Sequence, residues 1–162
     1  MFKKDKPKVS LGIPIFNESK YISETVNSLI NQTYENIEII AIDNNSDDES
    51  FRILESLAKQ DNRLRIFKNT KNIGMSENFN LVFKKSTGKY FAWIGAHDIY
   101  EKEFVEKLVF KLETTHNAAV AFSNISKIDS KGKKFEINKE TGFELNSSSS
   151  YLRQLKIPWE IR

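Results

Sequence analysis

The chain has 162 residues, of which 39% are hydrophobic and 29% charged, and its formal net charge is +3. This length and balance fit one folded globular domain and exclude a largely disordered chain. So small a charge gives no indication of nucleic acid binding, and the absence of cysteine excludes disulfides, cysteine-ligated zinc and thiol catalysis.

Apolar runs of strand length and amphipathic segments of helix length alternate along the chain. We predict strands over residues 9–16, 37–42, 64–67, 90–94 and 118–128, and helices over residues 20–31, 50–60, 76–86 and 101–115. The apolar runs are continuous enough to be buried on both faces, as in parallel sheets. The alternation predicts an α/β fold with three α/β/α layers around a mostly parallel sheet, in which residues 90–94 form a buried central strand.

Smaller signals mark the ends of these elements. Ser19 is the predicted N-cap of the first helix, because a serine hydroxyl can accept an early helical N–H. Residues 130–133 predict a hairpin-like turn with a return strand over residues 135–137. The four serines at 147–150 predict a flexible segment, and residues 151–156 predict the start of a helix.

Polar clusters follow three of the predicted strands. Asn17 and Glu18 follow the first strand, residues 43–48 follow the second, and His97 and Asp98 follow the strand at 90–94. In open α/β sheets, ligands bind outside the carboxyl ends of the strands, so these clusters predict one site along that edge. Asp98 then has two interpretations, which are a ligand-binding carboxylate at this edge and a cap for the next helix.

Several kinds of site are excluded by their motifs. The turn after the first strand reads PIFNES rather than G-x-G-x-x-G, which argues against a dinucleotide site, and no G-x-x-x-x-G-K-[ST] occurs. His97 and His116 are the only histidines in the sequence, so no histidine zinc motif is present. A flavodoxin-like phospho-receiver would need paired acids at its first strand, and PIFNES does not provide them.

Three sequence blocks follow one another over about residues 9–112: PIFNESKYISETVNSLINQTYENIEIIAIDNNSDDES, NIGMSENFN and YFAWIGAHDIYEKEF. In sequence, order and spacing these blocks resemble those of the family 2 glycosyltransferases, which have the GT-A fold. The resemblance implies a GT-A nucleotide-sugar-binding domain over residues 1–140, with 141–162 as the start of an acceptor-side region or a C-terminal tail. It also implies inverting transfer of a sugar from a nucleotide-sugar donor, most simply a UDP-sugar, to a glycan or lipid-linked acceptor in surface polysaccharide biosynthesis.

The resemblance implies a nucleotide site built from several short segments. The matched positions that line the base and ribose are Pro14, Phe16, Asn17, Glu18, Gly74 and Asn80. Asp43 matches the acid that hydrogen-bonds the base, a task suited to a carboxylate that accepts an imide N–H. Asn45 and Asp48 lie in the same loop, either as nucleotide contacts or as caps. Phe79 stands where the family usually has an arginine.

The last block matches the family's acidic, metal-binding motif. The three positions that usually hold acids are here Gly95, His97 and Asp98, so only Asp98 keeps a carboxylate. The resemblance implies that Asp98 binds Mn²⁺ or Mg²⁺ together with the donor diphosphate, since such ions take hard oxygen ligands. His97 is either a softer second ligand or a direct contact to the sugar or phosphate. No catalytic base is assigned, so a nucleotide-binding, catalytically incomplete GT-A-like module is the alternative function.

The sequence also bears on location. No signal peptide is visible and no segment has the apolar length of a membrane span, which predicts a cytoplasmic protein. The lysine-rich start leaves open a peripheral contact with anionic lipid on the inner face of the membrane. The oligomeric state is not predicted.

Overall fold

The computed structural model describes residues 6–129, which contain four strands and four helices in alternation. The strands are β1 (Val9–Ile15), β2 (Ile37–Asp43), β3 (Leu64–Lys68) and β4 (Tyr90–Trp93). The helices are α1 (Ile22–Ile30), α2 (Ser50–Ala58), α3 (Met75–Lys84) and α4 (Phe104–Thr114). These elements confirm the predicted alternation up to α4, although α4 begins three residues later than predicted.

The four strands form one parallel sheet in the order β3-β2-β1-β4. In register, Val9 pairs with both Ile37 and Tyr90, so the carboxyl ends of β1, β2 and β4 lie at one edge. The prediction of β4 as a buried central strand is wrong for the described residues, in which β4 is an end strand and Trp93 is 43% exposed. A strand at the end of a sheet has a neighbouring strand on one side only and is less buried than an inner strand. The apolar composition of residues 90–94 could not show the position of this strand in the sheet.

The two faces of the sheet pack against different helices. Leu11 and Ile39 belong to the larger core, which contains residues of α1, α2 and α4. Ile40 and Ile42 face the opposite way and pack with Val82 of α3. Because side chains alternate along a strand, neighbouring apolar residues of β2 serve both layers. The three-layer α/β/α prediction is therefore confirmed.

The start of α1 differs from the prediction. The helix begins at Ile22, and Tyr21 is at the N-cap position without a side-chain cap hydrogen bond, so Ser19 is not the N-cap. The backbone N–H of Ser19 instead donates to Asp48 at 2.9 Å. A long-range contact has replaced the local one that the serine predicted.

The predicted strand over residues 118–128 is not formed, because residues 118–127 have no regular secondary structure. Ala119, Val120 and Ala121 line an apolar groove with β4 and α4 but do not form a ladder with β4. A strand needs pairing hydrogen bonds as well as apolar residues, and the exposed fraction of Val120 is 68%.

The chain divides into two compact units, Met1–Ser123 and Asn124–Arg162. Of the second unit, the structure describes residues 124–129. The predicted turn at 130–133, the strand at 135–137, the serine run, the helix start at 151–156 and the domain boundary at 140 lie outside the described residues. Within the described residues, no helix has both the length and the apolar character that a membrane crossing requires.

A buried carboxylate lies at the amino-terminal edge of the sheet. Glu38 of β2 is 3% exposed and accepts hydrogen bonds from the Ser10 hydroxyl at 2.6 Å and the Thr87 backbone at 2.7 Å. Lys8 and Arg65 approach its Oε2 at 3.1 and 3.0 Å. Burial would raise the pKa of Glu38, but the hydrogen bonds outweigh it and lower the pKa to about 2. This cluster joins β1, β2, β3 and the start of β4 away from the carboxyl edge.

Candidate active site

Two loops at the carboxyl edge of the sheet are bonded to each other. The Asn17 backbone N–H, after β1, donates to the Ser46 hydroxyl at 2.9 Å, and the Asp47 N–H donates to Asn17 Oδ1 at 2.9 Å. Asn17 and Asn45 have φ angles of 57° and 63°, in the left-handed region that asparagine tolerates better than most residues. The structure therefore brings two predicted segments, 17–18 and 43–48, into one rigid corner.

Asp43 lies beneath this corner and is fully buried. Its Oδ1 accepts the Ser46 hydroxyl at 2.5 Å, and its Oδ2 accepts the Ser46 backbone N–H at 3.1 Å. Lys68 Nζ lies 3.9 Å from Oδ2. In this structure the carboxylate therefore holds the loop after β2, and its predicted contact with a nucleotide base stays a prediction.

Asp48 is bonded at the start of α2. It accepts the backbone N–H of Ser50 at 2.9 Å and that of Ser19 at 2.9 Å. Burial opposes ionisation, but hydrogen bonds from Ser50 and Ser19 outweigh it and lower the pKa of Asp48 to about 2. The N-cap position of α2 is held by Glu49 without a side-chain cap hydrogen bond, so Asp48 lies one residue before the cap and its contact with a nucleotide stays a prediction.

Glu18 and His97 connect the loop after β1 with the loop after β4. Glu18 Oε1 lies 3.3 Å from His97 Nδ1, and the Glu18 backbone N–H donates to Ser50 Oγ at 2.8 Å. The buried Thr25 of α1 donates its hydroxyl to the Ala96 carbonyl at 2.9 Å, which fixes the backbone beside His97. Glu18 therefore links the end of β1 to the loop after β4 and to the first residue of α2.

Asp98 is exposed at the end of the loop after β4. Its backbone N–H donates to the Gly95 carbonyl at 3.2 Å, which closes a tight turn. The next helix, α4, begins at Phe104 with Glu103 at its N-cap position, so Asp98 does not cap it. The cap interpretation is therefore wrong, and the ligand-binding role of Asp98 stays a prediction.

The block before α3 is joined to the end of β2 by amide side chains. Gly74 precedes α3 with φ 87°, a conformation that favours glycine, and its carbonyl accepts Asn44 Nδ2 at 3.3 Å. The buried Asn78 donates to the Ile42 carbonyl at 3.1 Å. Asn80 is exposed on α3, and within residues 6–129 no hydrogen bond joins it to the other predicted site residues.

The two predicted hydrophobic residues lie on either side of the end of β1. Pro14 is half-buried within β1, opposite Ile42, and Phe16 follows the strand with 44% of its surface exposed. Phe79 packs its ring 6.3 Å from the ring of Trp93. The aromatic ring that replaces the family's arginine is therefore part of a hydrophobic cluster beside β4.

Three contributors to the corner were missed by the sequence reasoning: Ser46, Asn44 and Tyr100. Ser46 and Asn44 lie inside the Asp43–Asp48 segment, where only the acids and Asn45 were considered. Tyr100 lies within the last of the resembling blocks, and its hydroxyl accepts the Gly95 N–H at 3.1 Å. A polar side chain two residues after Asp98 was the available signal.

A divalent cation is compatible with the chemistry of this edge. In the part of the chain that the structure describes, no group of three or more histidine, cysteine or acidic side chains is arranged to hold a metal. Mg²⁺ and similar ions are often held by only one or two carboxylates together with water and substrate phosphates. The exposed Asp98 carboxylate fits that kind of site, in which the protein supplies few ligands.

Solved structures with the same architecture are glycosyltransferases. Residues 1–349 of Staphylococcus aureus TarS, in complex with UDP-GlcNAc, have a TM-score of 0.62 and 22% identity, and the match covers 72% of this chain and 37% of that one. The mannosyltransferase PcManGT of Pyrobaculum calidifontis, in complex with GDP-Man and Mn²⁺, has a TM-score of 0.62 and 20% identity. This match covers 66% of this chain and 32% of the PcManGT chain. These likenesses confirm the GT-A fold.

The family follows from the sequence comparisons. The model of glycosyl transferase family 2 matches residues 10–161. An uncharacterized glycosyltransferase of Haemophilus influenzae is 41% identical over 107 residues, which are 66% of this chain and 33% of that relative. The chain therefore belongs to glycosyl transferase family 2, and it spans about a third of the length of this relative.

Proposed function

We propose that this chain binds the donor of a glycosyltransferase that moves a sugar from a nucleoside diphosphate, most simply a UDP-sugar, to a glycan or lipid-linked acceptor. In the inverting reaction that we propose, the acceptor oxygen attacks the anomeric carbon as the bond from that carbon to the diphosphate breaks. The acceptor proton passes to a base, and the nucleoside diphosphate leaves. Family membership and the GT-A fold support this reaction class, and a role in surface polysaccharide biosynthesis is the setting we propose.

One observation carries the proposal. The 3.3 Å contact between Glu18 and His97 joins the end of β1 to the end of β4, and the bond from Asn17 to Ser46 joins β1 to β2. A single ligand across the carboxyl edge can therefore contact all three loops. That edge is where open α/β sheets bind ligands.

The residues of this edge suit the two parts of a nucleoside diphosphate. Phe16 offers an exposed aromatic surface next to Asn17, where a base and ribose can lie. Asp98 offers oxygen ligands at the end of β4, where the diphosphate and Mn²⁺ or Mg²⁺ would lie. When bound, the cation would offset negative charge on the leaving diphosphate.

Thermal unfolding of the full chain tests donor binding. We expect UDP with Mn²⁺ to raise the melting temperature more than UDP alone, because a ligand that binds only the folded state stabilises it by mass action. GDP, dTDP and CDP, each with and without Mn²⁺, serve as matched ligands that identify the base. If none of the four nucleotides shifts the melting temperature, donor binding by this chain is wrong.

A second prediction concerns Asp43. We expect Asp43→Ala to weaken uridine binding more than pyrophosphate binding, because the buried carboxylate supports the loop on the proposed base side of the site. Ser46→Ala should reproduce part of the effect if Asp43 acts through this loop, since it removes the hydroxyl that donates to Asp43 Oδ1 and keeps the backbone N–H that donates to Oδ2. Calorimetry with uridine and with pyrophosphate measures both affinities. A loss with Asp43→Ala alone would indicate direct contact with the base, and equal losses for both ligands would contradict the prediction.

The alternative function is a nucleotide-binding module without turnover. Gly95 and His97 favour it, because they replace two of the acids that the family usually has at this edge. Sugar release from a UDP-sugar, measured with acceptor glycans, separates the two functions. Donor binding without release of the sugar would support the module.

A further inference from the structure

Tyr100 is held firmly beside the loop that carries Asp98. Its ring packs against Phe104 of α4 with ring centroids 4.9 Å apart. Its backbone N–H donates to the Ser28 hydroxyl of α1 at 3.1 Å, and its own hydroxyl accepts the Gly95 N–H at 3.1 Å. Two helices therefore fix the position of the Tyr100 hydroxyl relative to the end of β4.

The Asp98 carboxylate lies against the same glycine. A Cβ placed on Gly95 would be 2.4 Å from Asp98 Oδ2, which is closer than real Cβ contacts. The Asp98 backbone N–H also donates to the Gly95 carbonyl. Gly95 thus leaves the space that the carboxylate occupies, and the Tyr100 hydroxyl is bonded to the amide of that residue.

The Tyr100 hydroxyl can donate one hydrogen bond as well as accept one, as any phenolic O–H can. Since its oxygen already accepts the Gly95 N–H, the hydrogen is available to a carboxylate beside Gly95.

We propose that Tyr100 is a positioning residue that holds the Asp98 carboxylate at the carboxyl end of β4, oriented towards the donor diphosphate and its cation. The proposal rests on the proposed function of this edge as a nucleotide-sugar site. Tyr100 does not touch the donor in this arrangement, and it acts by restricting where the Asp98 oxygens lie. Residues that orient a metal ligand typically contribute about 10- to 100-fold to metal affinity.

The test is the ratio of UDP dissociation constants in EDTA and in Mn²⁺, measured by calorimetry on the full chain. We expect Tyr100→Phe to lower this ratio by about tenfold while leaving the affinity in EDTA unchanged. Tyr34→Phe is the matched control, because it removes another tyrosine hydroxyl that donates to the Pro7 carbonyl at 2.6 Å, away from the carboxyl edge. A purely structural role for Tyr100 would weaken UDP binding in EDTA as much as in Mn²⁺.

Gly95→Ala provides a second route to the same result. Its methyl group would displace the Asp98 carboxylate while the Tyr100 hydroxyl remains, so we expect a similar loss of the Mn²⁺-dependent gain. If the wild type shows the gain and Tyr100→Phe keeps it, the positioning role is overturned and the proposed function stands. If the wild type binds no nucleotide, the proposed function itself is overturned.

Discussion

Replacing Asp98 with asparagine should remove most of the gain in UDP affinity that Mn²⁺ provides, with a loss of at least about tenfold. The acidic motif of the family usually has acids at three positions. In this chain Gly95 and His97 occupy two of them, and Asp98 is the one carboxylate that is kept. A neutral amide is a weaker ligand for a hard divalent cation than a carboxylate, and it does not offset the charge of the ion. Affinity in EDTA should change little, because the Asp98 side chain is exposed and its backbone forms the turn.

Calorimetry with UDP in Mn²⁺ and in EDTA measures this effect for the wild type and the variant. Glu55→Gln is the matched control, since it removes one negative charge from an exposed position on α2, outside the candidate site. An Asp98→Asn protein with the full Mn²⁺-dependent gain would show that Asp98 does not hold the ion. A loss of the same size in Glu55→Gln would show that overall charge, rather than the position of the carboxylate, determines the affinity.

The alternation of strands and helices could be predicted from sequence because hydrophobic patterning decides it locally. The β2 run IEIIAID has apolar side chains on both faces, and the structure buries all seven of its residues between two layers. Helix α1 follows the same rule, because Ile22, Val26 and Leu29 recur at helical spacing and are fully buried. At such positions, the apolar pattern of the sequence is enough to predict burial.

The candidate site could be predicted only in outline. Polar residues at strand ends indicated which edge carries the site, because parallel strands bring their carboxyl ends together. The partner of each side chain depends on contacts across the chain, which no local pattern contains. Ser19 illustrates this, because its amide bonds Asp48 rather than its side chain capping α1. The burial of Asp43 under Ser46 likewise depends on how the following loop folds back.

Residues 118–128 show a case in which the apolar pattern predicted the wrong structure. Their composition predicted a strand, yet Val120, Phe122 and Ile125 are exposed by 68%, 58% and 81%. Strand preference measures how well side chains fit a pleated, half-buried surface, and it does not supply a pairing partner. Sequence pattern was therefore sufficient where burial alone decides the structure and insufficient where backbone pairing decides it.

Glu38→Gln should destabilise the folded chain by about 3 kcal/mol at neutral pH, as expected for a buried carboxylate whose pKa falls from 4.5 to about 2 on folding. Glutamine keeps the size and one oxygen acceptor but loses the charge that Lys8 and Arg65 approach. Urea unfolding of wild type and variant, compared at pH 7 and at about pH 2, measures the difference in unfolding free energy.

The sign of the pH dependence follows from the lowered pKa of Glu38. The stabilisation is fully present above the unfolded-state value near 4.5 and is lost as the pH falls through the folded-state value of about 2. The difference between wild type and Glu38→Gln should therefore shrink towards zero at the acid end. Asp48, whose pKa is also lowered to about 2, contributes to the acid sensitivity of both proteins, so its effect cancels in this comparison. A difference of the same size at both pH values would mean that glutamine destabilises the chain by altered packing, and that ionised Glu38 does not stabilise the amino-terminal edge of the sheet.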